Sequence, residues 1–380
     1  MAPALMGHGF AVIHPGLEEV VAAELAGFGI EGDVVPGGVR FSADAARVAM
    51  LTRAMRTPSQ LLYELGSGTA RSSDALGVLI RSLPWTEFLL PQAELKIEIT
   101  SRASALRFKD TVSRALTAMI RDARKGAFVP DRGVRPRHVQ VLQVRIVEDQ
   151  VTVSLDAGGD LLHKRGWRTE AGRAPIRENL AACMLALAEW DGTDALYDPF
   201  CGAGTIPIEG ALLAAGRPPF QGRGGFACDE WGKGKPVGGK PRSGGRPPPS
   251  AAPTRPPPKG TAVQMVFGSD HQAQAVATSV ANARRAGVVV PFRLLDVAEI
   301  QPPAVVGTIV TNPPYGERLG VTVDEVYATF GRSLRERFGS WRVVFLAPDR
   351  RMALKVDERV ERVVQFKNGG LSVGVWTYLA

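Results

Sequence analysis

Cysteine is scarce in this chain, and the three present form no pattern. Cys183, Cys201 and Cys228 give neither an even framework nor a CxxC pair, so neither a disulfide scaffold nor a zinc site is indicated. Long apolar runs are missing too: no stretch of about 18 apolar residues is there to cross a bilayer. Glu18 and Glu19 interrupt the start early, and no charged segment precedes an apolar core as in a leader. A soluble, cytoplasmic protein without membrane contact is expected. Two glycine signatures are also lacking. Without GxxxxGK[ST] there is no P-loop, and without GxGxxG there is no dinucleotide fingerprint.

What is present is enough for several cores. At 380 residues the chain is long for one domain, and 45% hydrophobic with 22% charged residues is near the globular average. The net charge of +8 is unevenly placed. Residues 1–100 carry 7 Lys/Arg against 11 Asp/Glu. From Ser101 to Arg137, by contrast, Arg102, Arg107, Lys109, Arg114, Arg121, Arg124, Lys125, Arg132, Arg135 and Arg137 face only Asp110, Asp122 and Asp131. A local positive field of this kind is the footprint expected for nucleic acid; a solvated arginine face is the plainer reading. Residues 221–260 hold 8 Lys/Arg and two acids among glycine and proline. From about Gly232 this stretch cannot bury a core and is expected to be disordered.

Periodicity divides the chain. Phe10–Ile13, Val34–Val35 and Val39–Phe41 read as strands, with helices over Leu17–Phe28 and Ala43–Thr52, a pattern that suits a small α+β unit. Leu61–Leu65 and Leu95–Ile99 read as strands and Ser73–Leu83 as a helix. The basic segment follows as a helix from Phe108 to about Lys125, with Val112, Leu116, Met119 and Ile120 inward. Val139–Ile146 and Gln150–Leu155 form a hairpin through Glu148-Asp149. Beyond, a helix opening at Pro175 and running to about Trp190 precedes strands alternating with helices: Ala195–Asp198, Val263–Asp270, Phe292–Asp296, Val305–Thr311 and Val343–Leu346, then a terminal pair over Val360–Phe366 and Val373–Leu379. Such alternation implies a doubly wound, mostly parallel sheet whose post-strand loops gather on one edge.

Those loops carry the chemistry. Asp198-Pro199-Phe200-Cys201-Gly202-Ala203-Gly204-Thr205 is an acid and a glycine turn that leads into a helix, where backbone can approach a ligand closely. Asp270 and Asp296 end the next two strands. Asp270 can accept from both hydroxyls of a ribose and Asp296 from an adenine amino group, which makes an adenosyl site without a phosphate clamp. Each acid alone is more often a cap or turn residue. Asn312-Pro313-Pro314-Tyr315 then closes the fourth strand. Two prolines remove two donors and fix φ, leaving a rigid array of acceptors beside a ring. That array suits an exocyclic amine on a planar base. The expected crevice lies at the switch point between the Asp198 and Asn312 strands.

His163-Lys164-Arg165-Gly166-Trp167-Arg168, Ala174-Pro175-Ile176-Arg177-Glu178-Asn179-Leu180-Ala181-Ala182, the 198–205 turn, Gly268-Ser269-Asp270 and Asn312-Pro313-Pro314-Tyr315-Gly316-Glu317-Arg318-Leu319 together resemble a known family. It is the THUMP-containing class I S-adenosylmethionine-dependent RNA guanine-N2 methyltransferases, which modify 23S rRNA or tRNA. The resemblance runs from near Phe10 to the end, apart from the insertion. It implies an α/β chain: a ferredoxin-like α+β unit over 1–65, a THUMP domain over 66–160, and a Rossmann-like class I methyltransferase domain over 161–380 with a basic insertion at about 221–260. It implies Asn312, Pro313, Pro314 and Tyr315 as catalytic residues. S-adenosylmethionine would be bound by Asp198, Phe200, Gly202, Gly204, Thr205, Asp270, His271, Asp296 and Val297, and RNA by Arg102, Arg107, Lys109, Arg114, Arg121, Arg124, Lys125 and Arg165. RNA is the expected partner and a monomer the expected state.

Alternatives remain. The Asn-Pro-Pro-Tyr turn is shared with DNA adenine and protein glutamine methyltransferases. A C5-pyrimidine enzyme would need a nucleophilic cysteine near the base, and Cys201 in the cofactor turn reads instead as a small filler. A non-catalytic RNA-binding assembly factor is the reading from a different class; intact Asp198, Asp270, Asp296 and Asn312 argue against it.

Overall fold

Two seven-stranded sheets carry the chain. The computed structural model describes residues 7–90, 92–106, 114–120, 122, 137–168, 176–232, 265–315, 323–368 and 371–380. The first sheet contains β1 (His8–Val12), β2 (Gly32–Val35), β3 (Gly38–Ser42), β4 (Gln60–Thr69), β5 (Leu95–Arg102), β6 (Gln140–Val147) and β7 (Gln150–Asp156). Their spatial order is β2-β3-β1-β4-β7-β6-β5. β4 pairs twice: Gln60–Tyr63 runs along β1, and Leu62–Thr69 along β7. One strand therefore runs through position 65, where the sequence reading separates two units, and its pairing with β7 shifts register there, between Glu64 and Gly66.

Local chemistry explains the far half of this sheet. Glu148 and Asp149 both adopt positive φ, 50° and 64°, as a tight two-residue hairpin turn between β6 and β7 requires. β5 and β6 are parallel, so the chain between them must cross over, and that crossover is the basic segment. Within it, residues 114–120 are helical, Leu116 and Ile120 are buried, and Arg114 is exposed. Val112, Arg107, Lys109, Arg121, Arg124 and Lys125 lie outside the described residues.

The second sheet contains β8 (Ala195–Asp198), β9 (Val266–Asp270), β10 (Phe292–Leu294), β11 (Gly307–Thr311), β12 (Trp341–Ala347), β13 (Glu361–Asn368) and β14 (Leu371–Leu379). Its order is β10-β9-β8-β11-β12-β14-β13. The first five strands in that order are parallel; β14 is antiparallel to both its neighbours. Alternate residues enter different cores: Val310, Val344 and Leu346 join one buried cluster, Ile309, Val343 and Phe345 the other. Both faces are thus covered, which is why these strands read as continuous apolar runs. β8 has β9 on one side and β11 on the other, so the switch point falls between β8 and β11.

Several boundaries differ from expectation. β11 begins at Gly307, and Val305 and Val306 are exposed, since apolar β-branched residues do not by themselves fix a strand start. The helix expected from Pro175 begins at Glu178, with Arg177 as an extended N-cap, because the Ile176 carbonyl is turned outward to accept from Arg168 Nη1 at 3.1 Å. Pro175 lies outside the described residues. Helices at Trp85–Phe88 and Arg350–Val356 are too short to show a period. The insertion expected from 221 starts later than that. Phe226, Ala227, Cys228 and Glu230 are buried, and Glu230 Oε1 accepts from the backbone N–H groups of Arg137 and His138. Residues 233–264 lie outside the described residues.

A buried ionic triad joins the two sheets. Glu209, on the Thr205–Ala214 helix, takes Arg165 Nε at 3.1 Å on Oε1 and Arg56 Nη1 at 3.5 Å on Oε2. Arg56 follows the Ala45–Ala54 helix of the first unit. Its own chain then turns beneath Glu24, whose carboxylate accepts from the N–H groups of Arg56 and Thr57 at 2.7 and 3.0 Å. Among the described residues no helix is long and apolar enough to cross a membrane.

Candidate active site

The carboxyl ends of β10, β9, β8 and β11 bring the expected loops side by side. Asp198 ends β8 and is 2% exposed. Its Oδ1 accepts from Phe200 N at 3.0 Å and from the Thr311 hydroxyl at 2.5 Å. Burial pushes its carboxyl up to about 7, those two bonds oppose the rise, and Asp270 adds to it. In this geometry the Asp198 carboxylate orients the turn that follows it.

The glycine turn is tied to β9. Cys201 N donates to Ser269 O at 2.9 Å and Gly202 N to Asp270 Oδ2 at 3.0 Å. Gly204 caps the following helix at φ 80°, and a Cβ there would sit 2.8 Å from Ser279 Cβ, so only glycine fits both the backbone and the space. Gly202, at φ 52°, has nothing within 4 Å of where its Cβ would be. That is the open side of the turn. Cys201 is buried and its thiol is pushed well up, chiefly by burial, which fits packing and not nucleophilic attack.

Asp270 accepts on both oxygens, from Gly202 N and from Gln272 N at 2.9 Å, and keeps lone pairs for a ligand. His271 is exposed, with Nδ1 3.5 Å from Asp270 Oδ1. Asp296 is exposed beyond the end of β10, its Oδ1 accepting from Ala298 N at 2.8 Å; Val297 beside it is half-buried. Phe200 is half-buried, edge-on to Phe330 at 5.3 Å.

β11 delivers the Asn312 turn. Thr311 and Pro313 are buried, and Asn312, Pro314 and Tyr315 are half-buried. The Asn312 side-chain oxygen is buried and has no hydrogen-bond partner among the described residues. A buried acceptor left unmade costs about 1–3 kcal/mol, which a donor on a bound ligand would recover.

These residues fit an adenosyl methyl donor. The 198–205 stretch has no Lys or Arg to take a phosphate, the turn is open above Gly202, and the carboxylates of Asp270 and Asp296 stand at the next two strand ends. Among the described residues no group of three or more His, Cys, Asp and Glu could hold a metal ion.

Sequence reasoning missed the inner supports. Arg168 bridges Ile176 O, Thr205 Oγ1 at 3.3 Å and Glu178 Oε2 at 2.6 Å. Burial pushes the Glu178 carboxyl up and Arg168 holds it down. Asn282 Nδ2 donates to Ala203 O at 3.0 Å, fixing the turn from behind. The signal for Glu178 was the one acid of the 174–182 motif; Arg168, in a motif already rich in cations, and Thr311 gave none.

The RNA set is corrected at one position. Arg165 is fully buried, with Nε on Glu209 and its terminal nitrogens on Leu162 O and Arg56 O, so it holds two units together and is not available to a phosphate. Arg102 and Arg114 are exposed.

Solved structures share this arrangement. A predicted N6-adenine-specific DNA methylase from Listeria monocytogenes is 26% identical with TM-score 0.78, over 98% of this chain and 96% of that one. SMU.472, assigned as a methyltransferase and solved with SAH, is 25% identical with TM-score 0.78, over 99% and 98%. TrmN from Thermus thermophilus, at 18% identity and TM-score 0.69 over 98% of each chain, shares the fold. The RlmL ferredoxin-like domain model matches residues 9–62. The RMKL-like methyltransferase domain model matches residues 165–375, more than half of the 380, and the chain belongs to that methyltransferase family.

Proposed function

We propose that this methyltransferase moves a methyl group from S-adenosylmethionine to the exocyclic N2 of a guanosine in structured RNA, 23S rRNA or tRNA. The observation that carries the reading is the buried, unpartnered oxygen of Asn312 at the end of β11, one strand from the glycine turn. When bound, the cofactor supplies an electrophilic methyl on a sulfonium centre. The chain supplies position. Gly202, Gly204 and Thr205 form the floor, Asp270 takes the ribose, and Asp296 with Val297 takes the adenine edge.

The amine nitrogen of guanine is a poor nucleophile because its lone pair is delocalised into the ring. Asn312 Oδ1 and the Pro313 carbonyl accept its two N–H bonds and favour a pyramidal nitrogen aimed at the methyl. Tyr315 stacks on the base and Pro314 keeps the turn stiff. The N–C bond would form as the sulfonium S–C bond breaks and a neutral thioether leaves, and one N–H proton would pass to water; a neutral amide needs only to orient the amine, and acceleration comes from positioning and acceptor electrostatics. The base is flipped out of its helix to reach the turn. RNA is gripped on the end of β5 and the basic crossover that follows it, where Arg102 and Arg114 are exposed. The Listeria relative's description as a DNA adenine methylase keeps adenine N6 as the second reading.

Asn312→Ala is expected to lower methyl transfer at least about 100-fold, the scale for losing one oriented polar group in a preorganised site, while S-adenosylhomocysteine binding stays near wild type. Retained turnover would sink the assignment. Nucleoside mass spectrometry of rRNA and tRNA from a deletion strain identifies the base: loss of N2-methylguanosine supports the reading, and loss of N6-methyladenosine overturns it.

A further inference from the structure

The donor loop and the acceptor turn sit on different strands, yet methyl transfer requires their separation to be held within a few tenths of an ångström. A buried polar link connects them. Thr311, fully buried, is the last residue of β11 and the immediate predecessor of Asn312. Its hydroxyl donates to Asp198 Oδ1 at 2.5 Å, and the same oxygen accepts from Phe200 N at 3.0 Å. The backbone ladder between β8 and β11 pairs Gly307–Ile309 with Ala195–Tyr197 and goes no further. Beyond that register the side-chain bond takes over from the main chain.

We propose that Thr311 is a positioning residue that couples the methyl-donor loop to the catalytic turn, through the hydroxyl it gives to Asp198. The inference rests on the methyl-transfer reading of the Asn312 turn. Threonine suits the place because its branched side chain packs at a strand end while its hydroxyl rotates to one acceptor. Valine would fill the same volume and leave Asp198 Oδ1 with a single donor.

The link is also sensitive to charge. Asp198 is buried and faces Asp270 from β9, with the Cys201 thiol and the Tyr197 hydroxyl as its other titratable neighbours. Burial sets its carboxyl near 7, and the Thr311 hydroxyl favours the charged form. The charge-assisted bond is strongest above that pH, when the carboxylate is formed. Loss of the donor would move the titration upward by about one pH unit, the scale of one hydrogen bond to a charged group.

The test compares wild type with Thr311→Val, Thr311→Ser and Asp198→Asn. Affinity for S-adenosylhomocysteine is measured by calorimetry from pH 6 to 9. Single-turnover methylation of RNA from a deletion strain is followed at saturating S-adenosylmethionine. The expected result is a tenfold or greater loss of the single-turnover rate in Thr311→Val, with the midpoint of the pH profile raised by about one unit. Thr311→Ser restores both, and Asp198→Asn flattens the profile around pH 7. If Thr311→Val does not fold, Thr311→Ser and Asp198→Asn still decide: a wild-type pH profile in Asp198→Asn overturns the coupling. So does a Thr311→Val enzyme with wild-type rate and midpoint, or a serine variant as impaired as valine. Wild-type protein that fails to bind S-adenosylhomocysteine overturns the methyltransferase site itself, an outcome distinct from any of these.

Discussion

Glu209→Gln removes a carboxylate shared by two buried guanidinium groups. The Glu209 and Arg165 side chains are fully buried, and that of Arg56 is 13% exposed. At 3.1 Å, and with an effective dielectric near 20, one such attraction is roughly 5 kcal/mol before desolvation. The other donors of both arginines are already committed, to Leu162 O and Arg56 O for Arg165 and to Leu212 O and Arg217 O for Arg56. Beyond Glu209, Arg56 feels the Glu24 carboxylate and Arg165 that of Glu178, with Glu209 the larger influence on Arg56. Removing one partner of a buried pair typically costs about 3–5 kcal/mol, because the charge left behind remains buried. Glutamine keeps the volume, so the loss reports charge and not packing. The assay is urea unfolding compared by midpoint, since a chain of several units need not unfold in one step, together with limited proteolysis between the two sheets. An apolar triple variant, Arg56→Met with Arg165→Met and Glu209→Leu, is expected to recover most of the loss, as desolvation is no longer incurred. A Glu209→Gln shift worth less than about 1 kcal/mol would refute the view that this triad holds the units together.

Two further outcomes are expected. The Asp198 carboxyl is raised to about 7 by burial, against about 3.9 when unfolded, so the folded chain holds that proton more tightly. Its contribution to stability is full below about pH 4 and lost as pH rises from 4 to 7, by on the order of 4 kcal/mol; Asp198→Asn should therefore raise the unfolding midpoint at pH 8 far more than at pH 4, and equal shifts at both would contradict the sign. On the RNA side, Arg102→Glu with Arg114→Glu should weaken binding to structured RNA across sequences and lower the salt slope by about 1 per lost phosphate contact. Unchanged filter binding at low salt would remove the crossover from the RNA path.

Much of this architecture is legible in the sequence because its signals are redundant. β9, β11 and β12 announce themselves as apolar runs because both of their faces are covered, and Asp270 and Asn312 mark where the first two meet a loop. Asp198, Asp270, Asp296 and Asn312 gather on one edge by topology alone, so their neighbourhood follows from alternation. What stays hidden is decided by tertiary partners. Arg165 looks like one more cation in a basic chain, and only the fold reveals Glu209 facing it from a helix 44 residues away. Phe226–Glu230 stands at the edge of the basic Gly/Pro-rich tract and is drawn into the first unit by Glu230 contacts to Arg137 and His138, which composition alone does not announce. Thr311 is invisible for a plainer reason, since a threonine at a strand end is ordinary until its acceptor is known.

The long β4 has a mechanical consequence. β4 pairs with β1 over one half and with β7 over the other, so one strand ties the two halves of the first sheet, with a register shift between Glu64 and Gly66. The triad through Glu209 then clamps that sheet to the helix that starts at the glycine turn. On the proposed reading, a nucleic acid grasped at the β5 edge would be carried at a span from Asn312 set by that strand and the triad, and the chain would work as a ruler. It would choose its target nucleotide by distance and angle from whatever its far edge holds, and lengthening β4 by two residues would shift that choice without touching the reacting groups.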